Sequence, residues 1–187
     1  MAAGSSYSLV LYSVQLEKQY VDFLTQSLTR LLNIKVIAAG SLPMGLILEH
    51  LDEDRGQIRA DELLHALHSK FGVLPYQRVL VVINGDGYVE GLNFVFGIAA
   101  EGWGGVVFTE RLRPELYHET PSDALFRARL LKEALHELGH SFGLQHCPNN
   151  CVMRFSNSVV DVDRKSAFFC SRCVRELSLA APGLLRV

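Results

Sequence analysis

The stretch His136-Glu137-Leu138-Gly139-His140-Ser141-Phe142-Gly143-Leu144-Gln145-His146 decides how this chain is read. Two histidines four positions apart share one helix face, so both imidazoles can reach one metal ion. Glu137 follows the first histidine and projects about 100° round the helix. It therefore falls beside the metal rather than on it, where a general base is needed. Gly143 lets the chain leave the helix with positive φ and turn sharply, and the turn returns His146 as a third ligand. Three protein ligands leave one position of a tetrahedral zinc open for water, whereas a structural site is closed by four. Zinc at such a site brings the pKa of its water toward ~7 and polarises a carbonyl. Glu137 is then placed to take the water's proton and pass it to a leaving amine. The remaining histidines, His50, His65, His68 and His118, have no partner at ligand spacing; His65 and His68 read as one solvated helix face.

Outward from that stretch, composition narrows the class. The chain has 187 residues, 49% hydrophobic and 20% charged, with net charge −2. This is enough for one packed domain over 1–187, divided at Gly143 into an N-terminal part (1–143) and a C-terminal part (144–187). No basic patch points to nucleic acid. No apolar run approaches the ~20 residues of a membrane span. The first residues, from Met1 to Val14, lack a basic region and an uninterrupted apolar stretch, so a secretory leader is not expected and the cytosol is the expected compartment. A monomer is expected.

Periodicity gives the elements. Tyr7 to Val14 reads as a strand, and Gln15 to Leu32 as a helix with Val21, Leu24, Leu28, Leu31 and Leu32 on one side. Ile34 to Ala38 is a short strand, Leu46 to His50 a loop or short strand, and Asp52 to Gly56 a solvated loop. Asp61 to Phe71 is helical. The run Val79 to Ile83 is apolar throughout, as in a strand covered on both faces. Phe94 to Ala99 and Gly105 to Thr109 form two further strands joined by a hairpin-like reversal. Thr120-Pro121-Ser122-Asp123 starts a helix, with Thr120 as cap, that runs to Phe142. From Leu144 the chain is irregular apart from a terminal helix near Arg172 to Leu179. Strands alternating with helices, then a metal-binding helix and an irregular tail, predict an α/β (α+β) architecture. Its mixed, mostly parallel twisted sheet is flanked by helices, with the His136 helix beneath it.

All four cysteines lie in that tail, as Cys147-Pro148-Asn149-Asn150-Cys151 and Cys170-Ser171-Arg172-Cys173. Two close pairs make a four-cysteine zinc site plausible. The tail has few large apolar residues, and a closed zinc site would staple it to the active-site helix, since Cys147 follows His146. Two disulfides or free thiols are the alternative, and a nucleic-acid zinc knuckle another.

The long histidine motif followed by Met153 is similar to that of the metzincin clan, with its methionine-containing turn below the metal. His146-Cys147, Cys151-Val152-Met153 and Cys170-Ser171-Arg172-Cys173 resemble the archaemetzincins in particular. Arg55-Gly56-Gln57, Gly91-Leu92-Asn93-Phe94-Val95-Phe96-Gly97 and Phe155-Ser156-Asn157-Ser158 match them as well. Three residues separate Cys147 from Cys151 where many relatives have four. The resemblance implies a zincin-like fold and two zinc ions per chain. The catalytic ion would rest on His136, His140 and His146 with Glu137 as base, and a structural ion on Cys147, Cys151, Cys170 and Cys173. Met153 would pack beneath the catalytic ion, and Gly143 would support its third ligand. It implies peptide or unfolded-polypeptide hydrolysis, with aminopeptidase-like activity associated with some members. Substrate would lie extended along an edge strand, for which Phe94 to Ala99 is the candidate. The competing readings are a zinc-stabilised binding protein with a dormant or gated site, and a non-peptide amide hydrolase.

Overall fold

The computed structural model describes residues 7–186; Met1 to Ser6, part of the leader reading, fall outside them. The first strand, β1 (Tyr7–Val14), is joined by α1 (Lys18–Leu31) to the parallel strand β2 (Ile34–Ser41). Helix α1 buries Tyr20, Leu24 and Leu28, a strict four-residue spacing that makes one stripe. After α2 (Met44–Leu48) come two short strands, β3 (Leu51–Asp52) and β4 (Gln57–Arg59), then α3 (Ala60–Lys70). Strand β5 (Gln77–Ile83) pairs in parallel with β1, and β6 (Gly87–Tyr88) joins β3 and β4 in a small second sheet. Strands β7 (Gly97–Ala100) and β8 (Gly104–Phe108) form an antiparallel hairpin. The main sheet has the order β2-β1-β5-β8-β7, parallel except for β7 at its edge. Helix α4 (Asp123–Ser141) carries the histidine motif, and α5 (Val159–Arg164) and α6 (Ser171–Ala180) follow in the tail.

The all-apolar β5 is explained by what covers it. Leu80 and Val82 belong to the core formed with α1, α4 and the tail, while Val79, Val81 and Ile83 belong to the core formed with α3. A period of two therefore feeds both faces, and no position on the strand can be polar. Trp103, in the β7–β8 turn, is fully buried and donates its indole N–H to Phe71 O at 2.7 Å, which fixes that turn against the end of α3. A Cβ on Gly104 would run into the carbonyl of Val79, so the hairpin and β5 meet at backbone contact.

Several local expectations need correction. Leu46 to His50 lies mostly in α2, one helical turn with only Ile47 fully buried, too short to show a period. Asp52 ends β3, and Glu53 to Gly56 form the exposed turn of the β3–β4 hairpin, solvated as expected. Two of the charges still find distant partners: Tyr88 donates to Asp52 at 2.6 Å, and Arg55 Nη2 donates to Asn93 O at 2.9 Å. Strand β2 continues past Ala38 to Ser41 through an irregularity opposite Leu11 and Tyr12. The edge strand begins at Gly97 rather than Phe94; Val95 instead bridges to Gly87. The cap of α4 is Ser122, whose hydroxyl accepts from Leu125 N at 3.2 Å, not Thr120. The tail is less irregular than expected: α5 has a reciprocal capping box between Ser158 and Asp161.

Arg129 ties α4 to that tail. Its side chain is fully buried, grips Asp163 with two hydrogen bonds of 2.7 and 2.8 Å, and also donates to Leu112 O and Glu119. Bidentate geometry makes this a strong charge-assisted contact. Arg129→Ala leaves Asp163 without its main partner and opens a void. The expected cost is about 3 kcal/mol or more, read as a lower denaturant midpoint at unchanged slope.

Candidate metal centre and cleft

Helix α4 packs beneath β7 and β8, so its upper face meets the sheet and its metal-binding face meets the tail. His136 and His140 stand one turn apart. His136 Nδ1 lies 2.8 Å from Val152 O, and His140 Nδ1 lies 2.7 Å from Leu144 O. A carbonyl only accepts, so each Nδ1 carries the proton, and each Nε2 is left as a bare lone pair. The two Nε2 atoms face each other at 3.1 Å. Two lone pairs at that distance repel unless a cation lies between them. A tetrahedral zinc with bonds of about 2.0–2.1 Å sets its nitrogens only slightly farther apart.

Gly143 has φ +93° and Leu144 N donates back to Gly139 O at 3.0 Å, so the helix ends as the sequence predicts. The turn brings His146 to the cluster, with ring centroids 4.7 Å from His140 and 5.3 Å from His136. The ligand nitrogens of all three lie within 4.8 Å of one another. Burial lowers the pKa of each imidazole, furthest for His136, with the Lys165 charge adding to the effect. Neutral imidazole is the form a metal takes.

Glu137 lines the same cleft as this trio and lies against the sheet. Its carboxyl occupies space that a side chain on Gly97 would fill, and a Cβ on Gly105 would come within 2.8 Å of its Cβ. Burial holds its pKa well above the carboxylate range, helped by repulsion from Glu133 and opposed by Lys165. Glu133, one turn earlier, is buried and paired with the fully buried Lys165 at 2.8 Å. Met153 is fully buried, with its sulfur where a Cβ on Gly139 would be. That contact gives the glycine inside the His-Glu-x-x-His segment a packing reason.

The four cysteines form a second cluster, their sulfurs within 4.8 Å of one another. Cys147 Sγ lies 3.7 Å from Cys170 Sγ, far from the 2.05 Å of a disulfide and close to the edge of a tetrahedron with 2.3 Å metal–sulfur bonds. A hydrogen bond from the Cys173 backbone, and then one that Cys170 accepts from Asn149 at 3.5 Å, lower its thiol to about 6. Both clusters therefore suit zinc, one with nitrogen and one with sulfur ligands. Among the described residues no other histidine joins a ligand cluster. His50 instead lies 3.8 Å from Glu62, and His68 lies against Trp103.

A cleft of about 390 Å³ runs over the histidines, roofed by Phe94, Phe96 and β7 and walled below by His146 and Phe155. Gly97, Gly105, Gly139, Glu133 and Lys165 were not singled out in the sequence as site residues. Only Glu133 carried a signal, lying one helical turn before Glu137 on the motif helix.

A sheet above a helix with converging imidazoles and a shielded glutamate belongs to zinc metallopeptidases of the metzincin kind. Comparison with known proteins agrees. The model of peptidase family M54 matches residues 12–179. Archaemetzincin of Pyrococcus furiosus is 45% identical over 148 residues, covering 78% of this chain and 76% of that protein. The crystal structure of archaemetzincin from Methanopyrus kandleri superposes with a TM-score of 0.78 at 36% identity, covering 96% of this chain and 98% of the other. That from Archaeoglobus fulgidus, complexed with malonate, gives 0.76 at 35% identity over 90% and 99%. The chain belongs to peptidase family M54, the archaemetzincins, and is a zinc metallopeptidase.

The lowered histidines carry a pH signature. In metal-free protein the unfolded chain binds protons near pH 6.5 that the folded chain refuses, so stability is present above about 6.5 and lost as pH falls. Glu137, raised, works in the opposite sense. Metal-free Glu137→Gln protein should therefore lose stability more steeply than metal-free wild type between pH 7 and 5, measured by urea unfolding.

Proposed function

We propose that this chain hydrolyses peptide bonds with His136, His140 and His146 holding the catalytic zinc and Glu137 as general base. The observation that supports this best is the pair of bare Nε2 lone pairs facing each other at 3.1 Å beside a glutamate enclosed by glycine backbone. Bound zinc supplies Lewis acidity to a water and to the substrate carbonyl. Glu137 takes the proton of the attacking water and returns it to the leaving nitrogen. Its raised proton affinity suits both halves of that transfer. Gly143 sets the turn that places His146, and Met153 fills the floor under the trio. Cys147, Cys151, Cys170 and Cys173 hold a second, structural zinc that keeps the Met153 turn against α4.

Substrate adds to the sheet at β7, the edge of the main sheet, which lines the cleft. Antiparallel addition, as between β7 and β8, puts the substrate's N-terminal end over Glu101, at the C-terminal end of β7. A carboxylate there favours a free ammonium group over a carboxylate. Aminopeptidase-like cleavage near the N-terminus is the mode this supports. Peptides with free amino termini should be cut faster than acetylated ones; equal rates would indicate endopeptidase action.

Two measurements test the reading. Glu137→Ala should keep its zinc and lose at least about 10²–10⁴-fold in turnover, checked by elemental analysis beside a peptide-library assay. Zinc content should be two per chain and fall to one in His136→Ala/His140→Ala. One zinc that survives those changes would favour a cysteine-zinc binding protein with a dormant histidine site.

A further inference from the structure

Two side chains of the small second sheet reach across to one backbone atom of the cleft roof. Arg55, in the β3–β4 turn, donates from Nη2 to Asn93 O at 2.9 Å, and Gln57, at the start of β4, donates from Nε2 to the same oxygen at 2.9 Å. Gly56, at φ +65°, closes the hairpin between them. Gln57 is buried and fully engaged: its Nε2 also donates to Asp86 Oδ2 at 2.9 Å, and its Oε1 accepts from Arg55 Nε at 2.8 Å. Asp86 in turn accepts from Arg111 Nε at 2.8 Å, and the Arg111 guanidinium lies 4.3 Å from the centroid of the Phe94 ring. The network therefore closes round the segment Leu92 to Phe96, gripping it at a carbonyl and at a ring.

That segment faces the catalytic cleft. Leu92 and Phe94 line it, and Leu92 is 43% exposed. Helix α4 and β7 run in the same direction, since Gly97 meets Glu137 and Gly102 N donates to Ser141 O at 2.9 Å. The roof precedes β7 and so covers the end of the cleft toward Glu133. Its backbone closes a turn from Leu92 N to Val89 O at 3.0 Å, and Val95 N reaches Gly87 O at 2.8 Å. The carbonyls of Leu92 and Asn93, between those two anchors, are taken by Arg55 and Gln57. A carboxamide at position 57 accepts from Arg55 while it donates to both Asp86 and Asn93; a carboxylate there has no proton to donate and repels Asp86. Without these donors the roof would be in place in only a fraction of molecules, and the affinity of any ligand that needs it falls by that fraction.

We propose that Arg55 and Gln57 are positioning residues for substrate: together they hold Leu92 and Phe94 as a roof over the residues that follow the scissile bond. This rests on the peptidase reading, because antiparallel addition to β7 lays the C-terminal side of the substrate toward Glu133. It gives Arg55-Gly56-Gln57 and the small second sheet a task in a cleft that Arg55 and Gln57 do not themselves line.

The test uses zinc-loaded full-length protein and two hydroxamates. Acetohydroxamate reaches only the metal; a succinyl hydroxamate extended by a dipeptide amide also runs beneath Leu92 and Phe94. Binding is read by calorimetry, so it needs no turnover. Gln57→Met removes both donors without adding charge, and Arg55→Ala, at an exposed position, keeps the test open should the first variant fail to fold. Each variant should weaken the extended probe about tenfold and change acetohydroxamate by no more than about twofold. Arg55→Lys, which keeps one donor but not the fork, should recover part of the loss. In the unliganded variants amide exchange should quicken about tenfold over Leu92 to Phe96 and stay unchanged along α4. Equal weakening of both probes would reduce the network to a fold contact and overturn the proposal. So would an extended-probe affinity unchanged in both variants, or a wild type that binds the two probes alike. With peptide substrates KM should rise severalfold in both variants, with a smaller fall in kcat. Probe affinities that split as expected while wild type cuts no peptide would reject the peptidase reading and leave the roof. Peptide cleavage with unchanged KM and unsplit probes would do the reverse.

Discussion

Two backbone carbonyls, of Val152 and Leu144, decide where the imidazoles of α4 point. Each accepts a hydrogen bond from an Nδ1–H and so turns an Nε2 lone pair inward. Neither carbonyl belongs to the helix. Leu144 is placed by the turn at Gly143, and Val152 by the short turn that also carries Cys151 and Met153. Cys147 N donates to Met153 O at 2.9 Å, and Val152 N to Phe168 O at 2.9 Å, so that turn is stitched to the segments on either side. The histidine geometry is therefore a property of helix and tail together. It explains why so small a tail contains a cysteine cluster, a capped helix and the grip of Arg129 on Asp163.

The same economy of space governs the upper side of α4. The sheet approaches closely enough for Glu137 to lie against two glycines. The ion pair of Glu133 and Lys165 sits one turn away, almost without exposure. A buried pair of this kind is not a source of stability by itself, because removing both charges from water costs as much as their attraction returns.

Sequence made the local parts legible. The histidine spacing, the glycine that ends α4, the paired cysteines and the uninterrupted apolar run of β5 each state their structure within a few residues. What stayed hidden depends on partners far along the chain. Lys165 gives no sign of meeting Glu133, 32 positions away. Gly97 and Gly105 look like ordinary strand glycines until α4 is placed beneath them. Asp52 looks solvated until Tyr88 arrives. Helix α5 was readable in principle from Ser158 and Asp161, but its six residues are too few for a period to appear.

Glutamate is a flexible side chain, and ordering one costs up to about 2 kcal/mol of rotamer freedom. At position 137 the glycine backbones of β7 and β8 remove that freedom when the chain folds. The proposed base thus meets each substrate already immobilised, and none of the encounter's free energy goes into ordering it. The sheet's two missing side chains serve as pre-organisation, an entropic contribution made by atoms that are not there.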